Sequence, residues 1–99
     1  MTKPELEAAL ENRCVDKVEA AGGLALKLVI PGVRGFLDRT VMLPNSTIFF
    51  CEFKRLKTGR VSAQQHTWRR LLTLLGFGVY FIDNDADFDR AMKREMERA

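Results

Sequence analysis

The chain has 99 residues, 46% hydrophobic and 29% charged. That balance excludes a disordered segment and suits one domain over residues 1–99 with one modest core. No apolar run is long enough to cross a bilayer and no signal peptide is recognisable. A net charge of +3 and a pI near 9.1 permit an anionic partner without demanding one.

Thr2, Pro4 and Glu5 form a helix start, with a capping hydroxyl, an early proline and an acid in the first turn. Leu6, Leu10, Cys14, Val18 and Ala21 then recur every three or four residues, which predicts an amphipathic helix ended by Gly22-Gly23. Leu24 to Ile30 is a predicted strand, and Pro31-Gly32-Val33-Arg34-Gly35 a loop. Phe36 to Leu43 and Thr47 to Lys54 are two more strands, rich in Phe, Ile, Val and Thr, joined by the turn residues Pro44-Asn45-Ser46. Lys57-Thr58-Gly59-Arg60 is a basic loop. Ser62 caps a second helix running to Leu75 and ending at Gly76. Phe77 to Ile82 is a fourth strand, and Ala86 to about Arg98 a last helix after Asp83-Asn84-Asp85. The order α-β-β-β-α-β-α implies an α/β fold, a mixed four-stranded sheet with helices on both faces. Cys14 and Cys51 sit among apolar neighbours on a helix and a strand, and read as buried thiols of a reducing, cytoplasmic compartment.

Chemistry enters with the central hairpin. If Pro44, Asn45 and Ser46 form a three-residue loop, Leu43 faces Thr47 and Asp38 falls opposite Glu52, on one face because side chains alternate along a strand. Lys54, two residues on, shares that face. Opposed carboxylates repel, and a cation between them relieves the repulsion. Oxygen ligands of this kind suit Mg²⁺ or Mn²⁺. Asp38 and Glu52 on an ordinary solvated face, paired with Arg39 or Lys54, is the bland alternative. It fits poorly here, because Ile48-Phe49-Phe50-Cys51 and Phe53 surround Glu52 with apolar residues and a charge there is costly without a partner.

Further polar residues point toward the same place. On the first helix Glu11 falls between Val15 and Val18, inside the apolar face, with Glu7 one turn earlier. A wide apolar stripe with snorkelling acids explains them equally well. On the second helix Gln65 shares a face with Val61, Trp68 and Leu72 and should look at the sheet; a polar residue at a helix boundary is the plainer account. His66 is the lone histidine, neither a zinc site nor a triad, and Trp68 belongs to the core. Arg34, Arg39, Arg55, Lys57, Arg60, Arg69 and Arg70 cluster around the acids, and Gly32 and Gly35 would let backbone approach a phosphate. Nucleic-acid backbone is the expected contact.

Glu11, Gly22-Gly23 with Leu26-Lys27, Pro31-Gly32-Val33-Arg34-Gly35, Asp38-Arg39, Glu52-Phe53-Lys54, Ser62 and Gln65 together resemble the VRR-NUC branch of the PD-(D/E)xK nuclease superfamily, over residues 6 to 82. The resemblance implies a restriction-endonuclease-like core. It also implies a homodimeric, structure-specific DNA endonuclease of Holliday-junction-resolvase type, found in phages and bacteria and acting in a bacterial or phage-infected cytoplasm. It would make Asp38, Glu52 and the Phe53 backbone carbonyl metal ligands for Mg²⁺ or Mn²⁺. Glu11 would be the helix acid, Lys54 the catalytic lysine and Gln65 the accessory polar residue. The family has proline before the aspartate where this chain has Leu37. Proline there donates no ligand, so activity is expected to survive. A catalytically weak DNA-binding module on the same fold is the alternative. A metal-independent RNA binder would instead expose Phe36, Phe49, Phe50 and Phe53 on a sheet face. For the dimer, the last helix offers a stripe of Phe88, Met92 and Met96; covering the chain's own sheet is the alternative, and for Phe88 the better one.

Overall fold

The computed structural model describes residues 3–54 and 61–98, and side chains from Glu7 onward within that span. The elements in chain order are α1 (Lys3–Ala20), β1 (Leu24–Leu26), β2 (Arg39–Met42), β3 (Ile48–Phe53), α2 (Ala63–Leu74), β4 (Gly78–Ile82) and α3 (Asp85–Met96). The cap expected at Thr2 and the basic residues Arg55, Lys57 and Arg60 lie outside the described residues.

The strands form one sheet in the order β1-β2-β3-β4, antiparallel except for the parallel β3–β4 pair. Pro44, Asn45 and Ser46 make the three-residue loop between β2 and β3. The Leu43 N–H donates to the Thr47 carbonyl at 2.9 Å, the Ser46 N–H donates to the Leu43 carbonyl at 3.0 Å, and Ser46 takes a positive φ of 67°. The ladder then pairs Val41 with Phe49 and Arg39 with Cys51. Carried one step further, this register sets Asp38 opposite Glu52.

β3 is the central strand and is buried on both faces, so its side chains supply two cores. Phe49, Cys51 and Phe53 face α1 and α3, packing with Leu10, Cys14, Val18 and Phe88. Phe50 faces α2 and packs with Leu37 and Leu72. Both cysteines are free and buried. Arg13 and Lys17 of α1 pair with Asp85, and Lys17 also with Asp89, which ties α1 to α3.

Two expectations are corrected. β1 ends at Leu26, not Ile30: Leu28 and Val29 are apolar but exposed, and the chain turns where the Val33 N–H donates to the Ile30 carbonyl. Phe88 and Met92 cover the chain's own sheet, Phe88 inside the core and Met92 packed against it, and only Met96 of that stripe is exposed. Gly35 (φ +69°) also has a packing reason to be glycine, since a Cβ there would lie 2.6 Å from the Gln64 Cβ of α2.

Gly78 has a different reason. Glu95 of α3 is fully buried, accepts from the Tyr80 hydroxyl and pairs with Arg98 at 3.0 Å. A Cβ at position 78 would sit 2.2 Å from Glu95 Oε2 and 2.9 Å from Tyr80 Cε2. Gly78→Ala is therefore expected to cost about 1–3 kcal/mol by overpacking, read as a lower urea midpoint at unchanged slope.

Candidate active site

Where β2 meets β3 the backbone ladder gives way to side chains. The Asp38 N–H donates to Glu52 Oε1 at 3.0 Å, and the Phe53 N–H donates to Asp38 Oδ2 at 2.8 Å. Each carboxylate satisfies a peptide of the other strand. This holds the two acids together although both carry negative charge when ionised. Leu37 is buried among Phe50 and Leu72 in the α2-side core. Its side chain anchors the entry to Asp38.

α2 completes the Glu52 environment. Ser62 caps the helix: its hydroxyl accepts from the Gln65 N–H and its own N–H donates to the Gln65 amide oxygen, both at 3.1 Å. With the oxygen committed to the cap, the Gln65 amide nitrogen turns to Glu52 Oε2 and donates to it. Lys54 Nζ lies 3.1 Å from the same oxygen. Glu52 is only 2% exposed. Its carboxyl is raised to about 7, chiefly by burial and next by the charge of Asp38, against the pull of Lys54. The Asp38 carboxyl is also raised, chiefly by burial, with the Phe53 N–H opposing and Glu11 adding to the rise.

Glu11 and Arg39 sit differently. Arg39 is next to Asp38 in sequence and so points to the opposite face, toward α1. There its Nε donates to Glu11 Oε2 at 2.6 Å and an Nη to the Ala25 carbonyl at 3.0 Å. Lys27 approaches the same Glu11 oxygen at 3.8 Å. Glu11 faces the sheet as its helical position required, but its carboxylate is held by Arg39, and Arg39 is turned inward instead of being free for a phosphate. The period of two along β2 already carried that signal. Arg34 is exposed on the loop before β2. Arg69 stacks over Phe81 with its Cζ 4.9 Å from the ring centroid, and His66 meets the same ring edge-on at 5.7 Å. Trp68 is half-buried against Phe36 at 5.0 Å. Phe49, Phe50 and Phe53 are buried, so no stacking platform of the kind an RNA binder needs is present on these strands.

The donor set fits a hard divalent cation. Asp38 and Glu52 offer carboxylate oxygens side by side, and burial, the first cause of their raised proton affinity, is a penalty on the charged forms that a bound cation would offset. Among the described residues no group of three or more His, Cys, Asp and Glu side chains could hold an ion, so further ligands would have to come from backbone or water.

No family model matches the chain. It is 48% identical over 78 residues to a protein of Acyrthosiphon pisum secondary endosymbiont phage 1 named "Putative nuclease p44", covering 79% of this chain and 83% of that protein. It also superposes on a solved VRR_NUC domain with a TM-score of 0.81 at 25% identity, over 89% of this chain and 95% of that one. The chain belongs to the VRR-NUC family. As a VRR-NUC protein it has the class of a nuclease, and its mixed sheet with three helices is that family's fold.

The raised Glu52 carboxyl has a consequence for stability. A folded-state value of about 7 against an ordinary 4.5 means the folded VRR-NUC chain retains a proton that the unfolded chain releases. Stability from this group is therefore full below about 4.5 and falls as pH rises toward 7, by on the order of 2–3 kcal/mol. Asp38 acts in the same direction. In a metal-chelating buffer the urea midpoint should be higher at pH 5 than at pH 8. Glu52→Gln should flatten that slope whatever its absolute stability.

Proposed function

We propose that this protein is a Mg²⁺- or Mn²⁺-dependent DNA endonuclease that cuts branched DNA in the manner of a Holliday-junction resolvase. The observation that carries the reading is the reciprocal Asp38–Glu52 arrangement with Lys54 and Gln65 on one carboxylate oxygen. Asp38, Glu52 and the Phe53 carbonyl would hold the cation, which when bound supplies charge at the scissile phosphate and acidifies water. Lys54, 3.1 Å from Glu52, is placed to donate to a water or a phosphate oxygen and so to orient the nucleophile. Gln65, fixed by the Ser62 cap, holds Glu52 in its rotamer and shields it from bulk water. Glu11 is one step removed, shaping the charge near Asp38 through its pairing with Arg39. Arg34 and Arg69, with Arg55, Lys57 and Arg60, would contact the DNA backbone.

Cleavage of four-way junction, flap and duplex DNA tests this directly. Lys54→Ala and Glu52→Gln should each lower the rate by about 10²–10⁴-fold while the melting transition remains. Chelation should abolish cutting and Mn²⁺ restore it. Normal turnover in either variant would overturn the site assignment, and cutting in chelator would overturn the metal.

Paired incision of a junction needs two sites, and a chain carrying one carboxylate pair supplies them as a two-fold dimer. The outward leucines of α2 support this: Leu71, Leu74 and Leu75 are 47%, 79% and 73% exposed. Light scattering should give about twice 11.3 kDa, and Leu74→Glu should return it to one.

A further inference from the structure

The sheet ends at β4, and a groove follows its outer edge between α2 and α3. Two adjoining hollows of about 640 and 390 Å³ make up this groove and share Arg69, Val79, Tyr80 and Arg94. Arg90 lines the first and Arg98 the second. Arg90 and Arg94 stand four residues apart on α3, about 6 Å along its axis, and Arg98 follows just past its end. Among the described lining residues Asp87 is the single acid, so four guanidinium groups face one carboxylate. That surplus equals the net charge of the whole chain.

The groove begins beside the carboxylate pair. Phe81 registers with Glu52 across the parallel β3–β4 pairing, one strand spacing of about 4.8 Å away. Arg69 lies over that ring. The path from Glu52 across Phe81 therefore leads straight to Arg69, Arg90 and Arg94. The existing partners leave these groups usable. Arg90 pairs with Asp87 in an exposed i,i+3 bridge, which solvent and competing anions weaken. Among the described residues Arg94 forms no ion pair. Arg98 is the fixed member, donating to the Gly76 carbonyl and pairing with buried Glu95.

We propose that this groove is a second nucleic-acid contact surface, which holds the phosphate backbone of the substrate as it runs on from the carboxylate pair. It rests on the nuclease reading for its occupant but is tested by binding alone. Charge row, open strand edge and continuity with the acids favour a polyanionic backbone over an acidic peptide, which would have no reason to start at Glu52.

The test measures fluorescence anisotropy of a labelled DNA duplex in chelator, with salt varied from about 50 to 200 mM. Each phosphate contact contributes about 0.9 to the log–log salt slope on duplex DNA. Arg90→Ala/Arg94→Ala should shrink the slope by about 2 and weaken binding, whereas Arg90→Lys/Arg94→Lys, which keeps the charges, should retain it. A double-alanine variant with a wild-type melting curve and an unchanged slope would overturn the groove. Loss of slope in the lysine variant as well would mean that packing, not charge, was disturbed, and would also overturn it. Cleavage by the wild-type protein with Mn²⁺ is scored separately. Cutting with an unchanged slope removes the groove and keeps the nuclease, and a shifted slope without cutting does the reverse.

Discussion

Two hydrogen bonds running in opposite directions hold this site together. Asp38 gives its N–H to the Glu52 carboxylate, and the Asp38 carboxylate receives the Phe53 N–H. Between ordinary strands such N–H groups would donate to main-chain carbonyls. Here the carboxylates stand in for main-chain carbonyls, so the acids belong to the sheet as much as to the site. Backbone donors favour the charged form of a carboxylate, which tempers the repulsion between two of them. The same bonds fix both rotamers, because moving either acid would orphan a buried N–H.

Around that exchange the other elements have distinct duties. β3 must be central and covered on both faces to bury Glu52, and burial is what raises its carboxyl. α2 must begin at Ser62, since the cap that starts the helix also aims Gln65 at Glu52. One side chain thereby satisfies an orphan helix donor and a buried acid together. The cost is electrostatic: the folded chain carries two acids whose charged forms it disfavours. A structure built only for stability would place a neutral residue at position 52. Retaining the carboxylate makes sense for a chain that gains a counter-charge from outside.

The hairpin was readable because turn chemistry and alternation act locally. Pro44-Asn45-Ser46 allowed only a short loop, and once its length is set every opposite position follows, down to Asp38 and Glu52. The capping signal at Ser62 was equally local. What sequence could not show depends on where other elements lie. Leu28 and Val29 look like strand residues, yet among the described residues no strand pairs with them, and both are exposed. Phe88, Met92 and Met96 form one stripe on a wheel, and only the position of the sheet decides that Phe88 is core. Arg39 stood beside the acids in sequence and so looked like part of a phosphate site, but alternation turned it toward α1 and Glu11. Gly35 and Gly78 lie in close approaches to Gln64 and Glu95, which only the placement of α2 and α3 sets.

The arginine-lined edge follows from the same economy. A four-stranded sheet with β3 inside leaves β1 and β4 as edges, and an open edge invites pairing with another chain. A row of guanidinium groups over β4 opposes that, because a second copy adding there edge to edge would bring like charges into register. The protection is specific in sign. It repels another copy of this surface and attracts a polyanion, so a feature needed to keep the strand unpaired also prepares it for a phosphate backbone. Buried Glu95 reinforces the arrangement from behind: it holds Arg98 in place and is itself admitted only because position 78 has no side chain. The charge row, the packing of α3 and the glycine on β4 are thus one structural unit, joined to the carboxylate pair through Phe81.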